Sequence, residues 1–242
     1  MNSTKASIER RSPVHLPGKP EKTESRDGWP VVLAYAEEGP GPWVVDLSHI
    51  RRWDIQGAEL AAAAPKGLPL PAAPGGVAQA GGALVGRTGM RQAFLWTSGG
   101  KFPAMGPACT ETTEGSACIA LLGRDVLRIT EKLTALDLGN PASRPPFLRL
   151  GPFAHVTSQM IVLSNGPDSA AVLVVCSRGF GHDLVHAVLQ AGEEFGLRPA
   201  GEKRLLETLA DSGLGVPRSD SRNSSKVEKA KPAGPIRSKK AP

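Results

Sequence analysis

Two stretches in the second half of the chain read ACIALLGRDVLRITEKLTAL (residues 117–136) and SAAVLVVCSRGFGHDLVHAVLQAGEEFG (residues 169–196), and they decide the fold. Each begins with a short apolar run of the length that buried strands have. In each, apolar residues then recur at spacings of three and four, which predicts an amphipathic helix. Each stretch is therefore interpreted as a strand followed by a helix.

The two predicted helices have recognisable apolar stripes and ends. The first should end before Asn140-Pro141, and the second should run from about Gly181 to Phe195, with Gly196 as its stop signal. The stripe of the first helix consists of Val126, Ile129, Leu133 and Leu136. The stripe of the second helix consists of Leu184, Val188, Ala191 and Phe195, widened by Val185 and Leu189.

The segments between and after these units complete a known pattern. Residues 153–163 have strand character, Asn165-Gly-Pro-Asp168 signals a hairpin turn, and Leu197-Arg-Pro199 is short and extended. The order is βαββαβ, which predicts an α+β fold with a split, ferredoxin-like core. Both helices should lie on one face of a largely antiparallel sheet, because that arrangement buries both stripes.

The first half of the chain predicts additional strands. Apolar, β-branched or aromatic runs at 31–35, 43–47 and 93–96 are typical of strands, placed at the edge of the sheet or in a small subdomain. Residues 61–82 are rich in Ala, Pro and Gly, and we expect a loop that packs loosely.

Charge and composition divide the chain into a flexible N-terminal arm (1–28), a domain (29–215) and a disordered basic tail (216–242). Residues 218–242 hold eight basic and two acidic residues, which equals the net charge of +6 for the whole chain. Nucleic-acid-binding proteins usually carry basic charge on the folded domain, so no specific nucleic-acid site is expected. The tail is interpreted as solvated, with loose contact to a polyanion or an acidic partner as the alternative.

Cysteine usage and hydropathy indicate the compartment. Cys109, Cys118 and Cys176 are odd in number and lack metal-ligand spacing, which fits a reducing environment. No run approaches the roughly 20 apolar residues of a membrane span, and the N-terminus lacks a signal-peptide core. We therefore expect a cytoplasmic protein with no membrane partner.

Two histidines on the second predicted helix could bind a metal. His182 and His186 stand at i and i+4, a spacing that can place two imidazoles on one ion. The same face continues through Gln190 and Glu193, however, and no third ligand is evident. The polar face of a helix is the preferred interpretation, and no metal is predicted.

The segment Cys176-Ser-Arg-Gly-Phe-Gly181 joins a strand to a helix. Its glycines and Arg178 could bind an anion at the start of the helix, but the pattern matches neither common phosphate-binding motif. A tight turn is the preferred interpretation.

Three residues with the chemistry of a catalytic triad, Asp46, Ser48 and His49, are close in sequence. Neighbouring strand residues point to opposite faces, so Ser48 and His49 should not converge. The adjacent pairs Glu37-Glu38 and Glu193-Glu194 also do not form a catalytic carboxylate pair. The sequence therefore predicts no catalytic residues, and the residues of any cofactor site stay unknown.

Three segments carry a resemblance to a known family. The segments at 122–138, at 176–186 with its continuation to Gly201, and at 45–50 resemble the folate-binding T-protein of the glycine cleavage system. The sequence is similar, more closely, to the gamma subunit of heterotetrameric sarcosine oxidase. The resemblance covers residues 30–210 in patches.

The resemblance implies a role in one-carbon metabolism, as a non-catalytic accessory subunit of a flavin- and folate-dependent oxidase of methylated amines. It implies larger flavoprotein partners in a hetero-oligomer, flavin on a partner and no cofactor on this chain. T-proteins carry an acidic residue in the strand that matches 151–163, where this chain has Thr157 and Ser158. The alternative is a stand-alone folate-binding, aminomethyltransferase-like protein or sensor, for which tetrahydrofolate is the possible ligand.

Overall fold

The computed structural model describes residues 9–80, 82–97 and 105–211. Within these residues, six strands form a central sheet with five neighbouring pairs, of which four are antiparallel and the last is parallel. In spatial order, the strands of the central sheet are β10 (Phe147–Phe153), β11 (Val156–Ser164), β12 (Ala170–Ser177), β9 (Ser116–Gly123), β3 (Trp43–Asp46) and β13 (Arg198–Pro199).

A second, antiparallel sheet and a two-stranded ribbon come from the first half of the chain. The ribbon pairs β1 (Pro20–Arg26) with β2 (Trp29–Tyr35). In spatial order, the described strands of the second sheet are β5 (Val77–Ala80), β6 (Ala83–Arg87), β7 (Gln92–Thr97), β4 (Arg51–Gln56) and β8 (Cys109–Glu111).

Two helices cover one face of the central sheet, and the second sheet together with a further helix covers the other face. The α-helices of the described residues are α1 (Leu60–Ala63), α2 (Val126–Glu131), α3 (Gly181–Gly192) and α4 (Glu202–Asp211). Side chains of β9 alternate between two cores: Ile119 packs with the α2 and α3 stripes, whereas Ala120 packs with the second sheet and α4. Burial on both faces explains why β9 and β12 are continuous apolar runs rather than alternating ones.

The α+β class and the predicted βαββαβ order are confirmed. Strand β9, helix α2, the β11–β12 hairpin, helix α3 and strand β13 occur in the expected sequence. The crossover from β12 through α3 to β13 is split, because β9 and β3 lie between these two parallel strands. The additional N-terminal strands are also present, with β3 inside the central sheet and most of the others in the second sheet.

The prediction of a flexible arm at 1–28 is wrong for residues 9–28. Strand β1 pairs with β2 along its length, and Val14 is buried against the central-sheet core. The polar composition of β1 concealed it, because this ribbon strand faces solvent and needs no apolar alternation. Residues 1–8 and the predicted tail at 216–242 lie outside the described residues, and the domain limits stay a prediction.

The loop predicted at 61–82 contains two elements. Helix α1 and strand β5 lie within or at the edge of this range, and Leu60, Leu68 and Leu70 pack on the outer face of the second sheet. The segment is therefore part of the structure and does not pack loosely. Its many Pro and Gly residues serve the turns between these elements.

Two boundaries also differ from expectation. Helix α2 ends at Glu131, because the chain leaves the helix through Leu133, whose carbonyl accepts a hydrogen bond from Ala154 N. Strand β11 begins at Val156 rather than at residue 153, and β10 precedes it. Helix α4 was not predicted.

None of the helices in the described residues has the length and apolarity needed to span a membrane.

Candidate functional site

The turn that follows β3 is built by hydrogen bonds from its own side chains. Asp46 Oδ1 accepts a hydrogen bond from Ser48 N at 2.9 Å, which closes the turn. Ser48 Oγ accepts from Cys118 N at 3.2 Å and is fully buried against β9. Ser48 thus points to β9 and His49 to a different element, as predicted, although the residues lie in a turn and not on a strand.

His49 is paired with a carboxylate that is distant in sequence. Its Nε2 lies 3.0 Å from Oε1 of Glu202, at the start of α4. Arg26 of β1 holds the same carboxylate with two nitrogens, NH1 to Oε1 at 2.7 Å and NH2 to Oε2 at 2.5 Å. The ribbon, the turn after β3 and α4 therefore meet at one buried carboxylate.

The environment keeps Glu202 ionised. Burial opposes its ionisation, but the hydrogen bonds and charges of His49 and Arg26 outweigh burial and lower its pKa to about 2. The side chains of His49 and Glu202 are only 8% and 5% exposed. A carboxylate in this position orients the imidazole, as it does in many catalytic and metal-binding histidines.

A polar pocket of about 350 Å³ lies directly over His49. Two ion pairs cross its walls, Arg10 with Glu114 at 2.5 Å and Arg51 with Glu111 at 3.2 Å. The lining consists of Arg10, Asp27, Trp29, His49, Arg51, Glu111, Thr113 and Glu114, and we call it the His49 pocket. The segment before β1, the β1–β2 turn, the turn after β3 with the start of β4, and the end of β8 with its connection to β9 supply these residues.

Arg52 is buried beneath this pocket. Its NH2 donates to the carbonyls of Thr113 and Ser116 at 3.1 and 3.4 Å, and its Nε and NH1 have no hydrogen-bond partner among the described residues. Burial lowers the pKa of Arg52. The neighbouring Cys118 is not a counter-ion, because burial raises the pKa of its thiol to about 12. Arg52 thus carries charge between the sheets and fixes the segment that leads into β9.

The histidines of α3 lie on its exposed face. His182 and His186 point to solvent, and His182 lies 3.7 Å from the carboxylate of Asp183. Within residues 9–80, 82–97 and 105–211, no group of three or more His, Cys, Asp or Glu residues could hold a metal ion. The structure therefore places these two residues on the polar face of the helix.

The turn at residues 176–181 contacts the N-terminal segment rather than presenting an open anion site. Arg178 NH2 donates to the carbonyl of Arg11 at 2.5 Å. A Cβ on Gly181 would lie 2.9 Å from Pro13 O, so the glycine permits a close approach between the two segments. This geometry agrees with the tight-turn interpretation.

Of the two sequence pairs Glu37-Glu38 and Glu193-Glu194, the first contains a residue, Glu38, with a structural role that the sequence did not indicate. It accepts hydrogen bonds from Gly201 N at 2.8 Å and Arg204 NH2 at 3.1 Å, and so it anchors the start of α4. Glu194 pairs instead with Lys132 on the other side of the molecule. Glu202, which organises the His49 site, was missed, because nothing local distinguishes it from other glutamates.

The space between the two sheets is almost filled. A cavity of about 50 Å³ lies under α4, where Leu205 and Leu209 close it from one side and Trp96 from the other. Its remaining lining is mostly apolar and consists of Leu47, Ile50, Gln79, Gly82, Ala83, Leu84, Thr97, Leu163 and Leu173.

The chain matches no protein-family model and no curated protein sequence. Among solved structures, a chain of the heterotetrameric sarcosine oxidase of Corynebacterium sp. U-96, in complex with pyrrole 2-carboxylate, is similar with a TM-score of 0.50 and 18% identity. The match covers 63% of this chain and 84% of that one. At this identity the likeness establishes a shared fold.

The glycine cleavage system aminomethyltransferase T of Bartonella henselae is also similar, with a TM-score of 0.49 and 13% identity. That match covers 80% of this chain and 59% of the other.

Proposed function

We propose that this protein is a non-catalytic accessory subunit of a sarcosine-oxidase-like complex that oxidises methylated amines in one-carbon metabolism. The flavin belongs to a larger partner subunit. The fold supports this role, since it matches most of the length of one chain of a heterotetrameric sarcosine oxidase.

The cavity between the sheets carries the non-catalytic part of the proposal. Its volume is about 50 Å³ and its lining is largely apolar. Sites for drug-sized ligands and cofactors occupy roughly 300–1,000 Å³ and place several polar groups around the ligand. The interior of this sandwich therefore supports its own packing rather than flavin or folate chemistry.

The strands beside this cavity also support the proposal. Strands β10, β11 and β12 contain no Asp or Glu along their described lengths. Thr157 is exposed, and Ser158 is buried with its hydroxyl donating to Val156 O at 3.0 Å. A carboxylate that could hold or activate a folate amine is thus missing from these strands.

Purification of the endogenously tagged protein tests the proposal. We expect a stoichiometric complex with a larger flavoprotein, detected by mass spectrometry and by absorbance in the flavin bands. A lone, colourless chain would contradict the subunit role. Calorimetry of that lone chain with tetrahydrofolate would then show whether it binds folate on its own.

A further inference from the structure

We draw no further inference here: the strongest candidate, the surface pocket of about 480 Å³ between the start of β3, the β11–β12 turn and α4, carries nothing, because its guanidinium group, that of Arg204, is already paired with Glu38 and Glu207 and nothing in the described residues shows what would occupy the pocket.

Discussion

At the scale of single residues, Glu202 determines more of the structure than any other polar side chain in the His49 site. It holds Arg26 from the ribbon and His49 from the turn after β3, and all three meet in a poorly solvated position. Removing one partner of a buried charge network leaves the others uncompensated, which costs far more than the network contributes as a whole.

The variant Glu202→Gln should therefore be destabilised by about 2–3 kcal/mol. This is somewhat less than the cost of breaking a fully buried ion pair, because Arg26 is partly exposed and keeps a second contact with Glu24. Urea denaturation measures this change in the free energy of unfolding. The control is Glu207→Gln, which removes an exposed pair with Arg204 on the same helix and should cost no more than about 0.5 kcal/mol. Equal costs for the two variants would show that the buried network is not formed.

The same residue predicts how stability depends on pH. The folded-state pKa of Glu202 is about 2, below its usual value of 4.5, so ionised Glu202 stabilises the fold above the unfolded pKa. This contribution should be lost as pH falls from about 4.5 towards 2, because protonation then favours the unfolded chain. Urea midpoints across this range should fall more steeply in the wild-type chain than in Glu202→Gln. Parallel pH profiles would contradict the assignment.

The sequence could indicate only part of this site. Asp46, Ser48 and His49 attract attention because three residue types of a catalytic triad lie within four positions. The alternation of side chains along a strand predicted that Ser48 and His49 point in different directions. The partner of His49 lies 153 positions away, and Arg26 lies in a ribbon whose polar pattern resembles a loop. Contacts of this kind depend on how three elements pack, which periodicity does not describe.

At the scale of elements, the predictable parts are those whose burial is unambiguous. Strands β9 and β12 are apolar along their whole length, because a layer covers each face of the central sheet. Strand β10 was missed because its Gly151 and Pro152 are typical of a turn, and they are tolerated only since β10 is an edge strand. Helix α4 was missed because it is strongly polar and its apolar stripe is short.

The position of α4 depends on one glycine at its start. A Cβ on Gly201 would lie 2.1 Å from the backbone carbon of Leu33, and backbone atoms of a paired strand cannot move aside easily. Gly201→Ala should therefore displace the start of α4 and destabilise the protein by about 1–3 kcal/mol, as overpacking does.

Thermal unfolding with Gly179→Ala as a matched control tests this prediction. A Cβ at Gly179 meets nothing within 4 Å, so that variant should unfold at nearly the wild-type temperature. A Gly201→Ala variant as stable as the control would mean that α4 can shift without loss of its contacts.

At the scale of the whole molecule, a proline faces outward on each edge of the central sheet. The N–H of Leu148 points away from β11 and donates to Gly75 O. Backbone N–H groups alternate in direction along a strand, so position 152 also faces outward, and the proline there has no N–H to donate. On the other edge, Arg198 and Ala200 donate towards β3, which leaves Pro199 facing outward. The partner subunit of the proposed complex is therefore expected to dock through side chains and not by extending this sheet.

Replacement of the exposed edge proline tests whether it prevents strand addition. Pro152→Val would add an outward N–H two positions beyond exposed Leu150, and so create an apolar edge able to pair with another copy of the chain. We expect the variant to form dimers or larger species with rising concentration, measured by light scattering after size-exclusion chromatography. Pro167→Val, at the exposed turn between β11 and β12, should behave as the wild-type chain does. If Pro152→Val kept the wild-type mass at every concentration, the edge would be protected by its neighbours near Gly75 rather than by the proline. The absence of an N–H at residue 152 would then no longer explain how the sheet avoids extension.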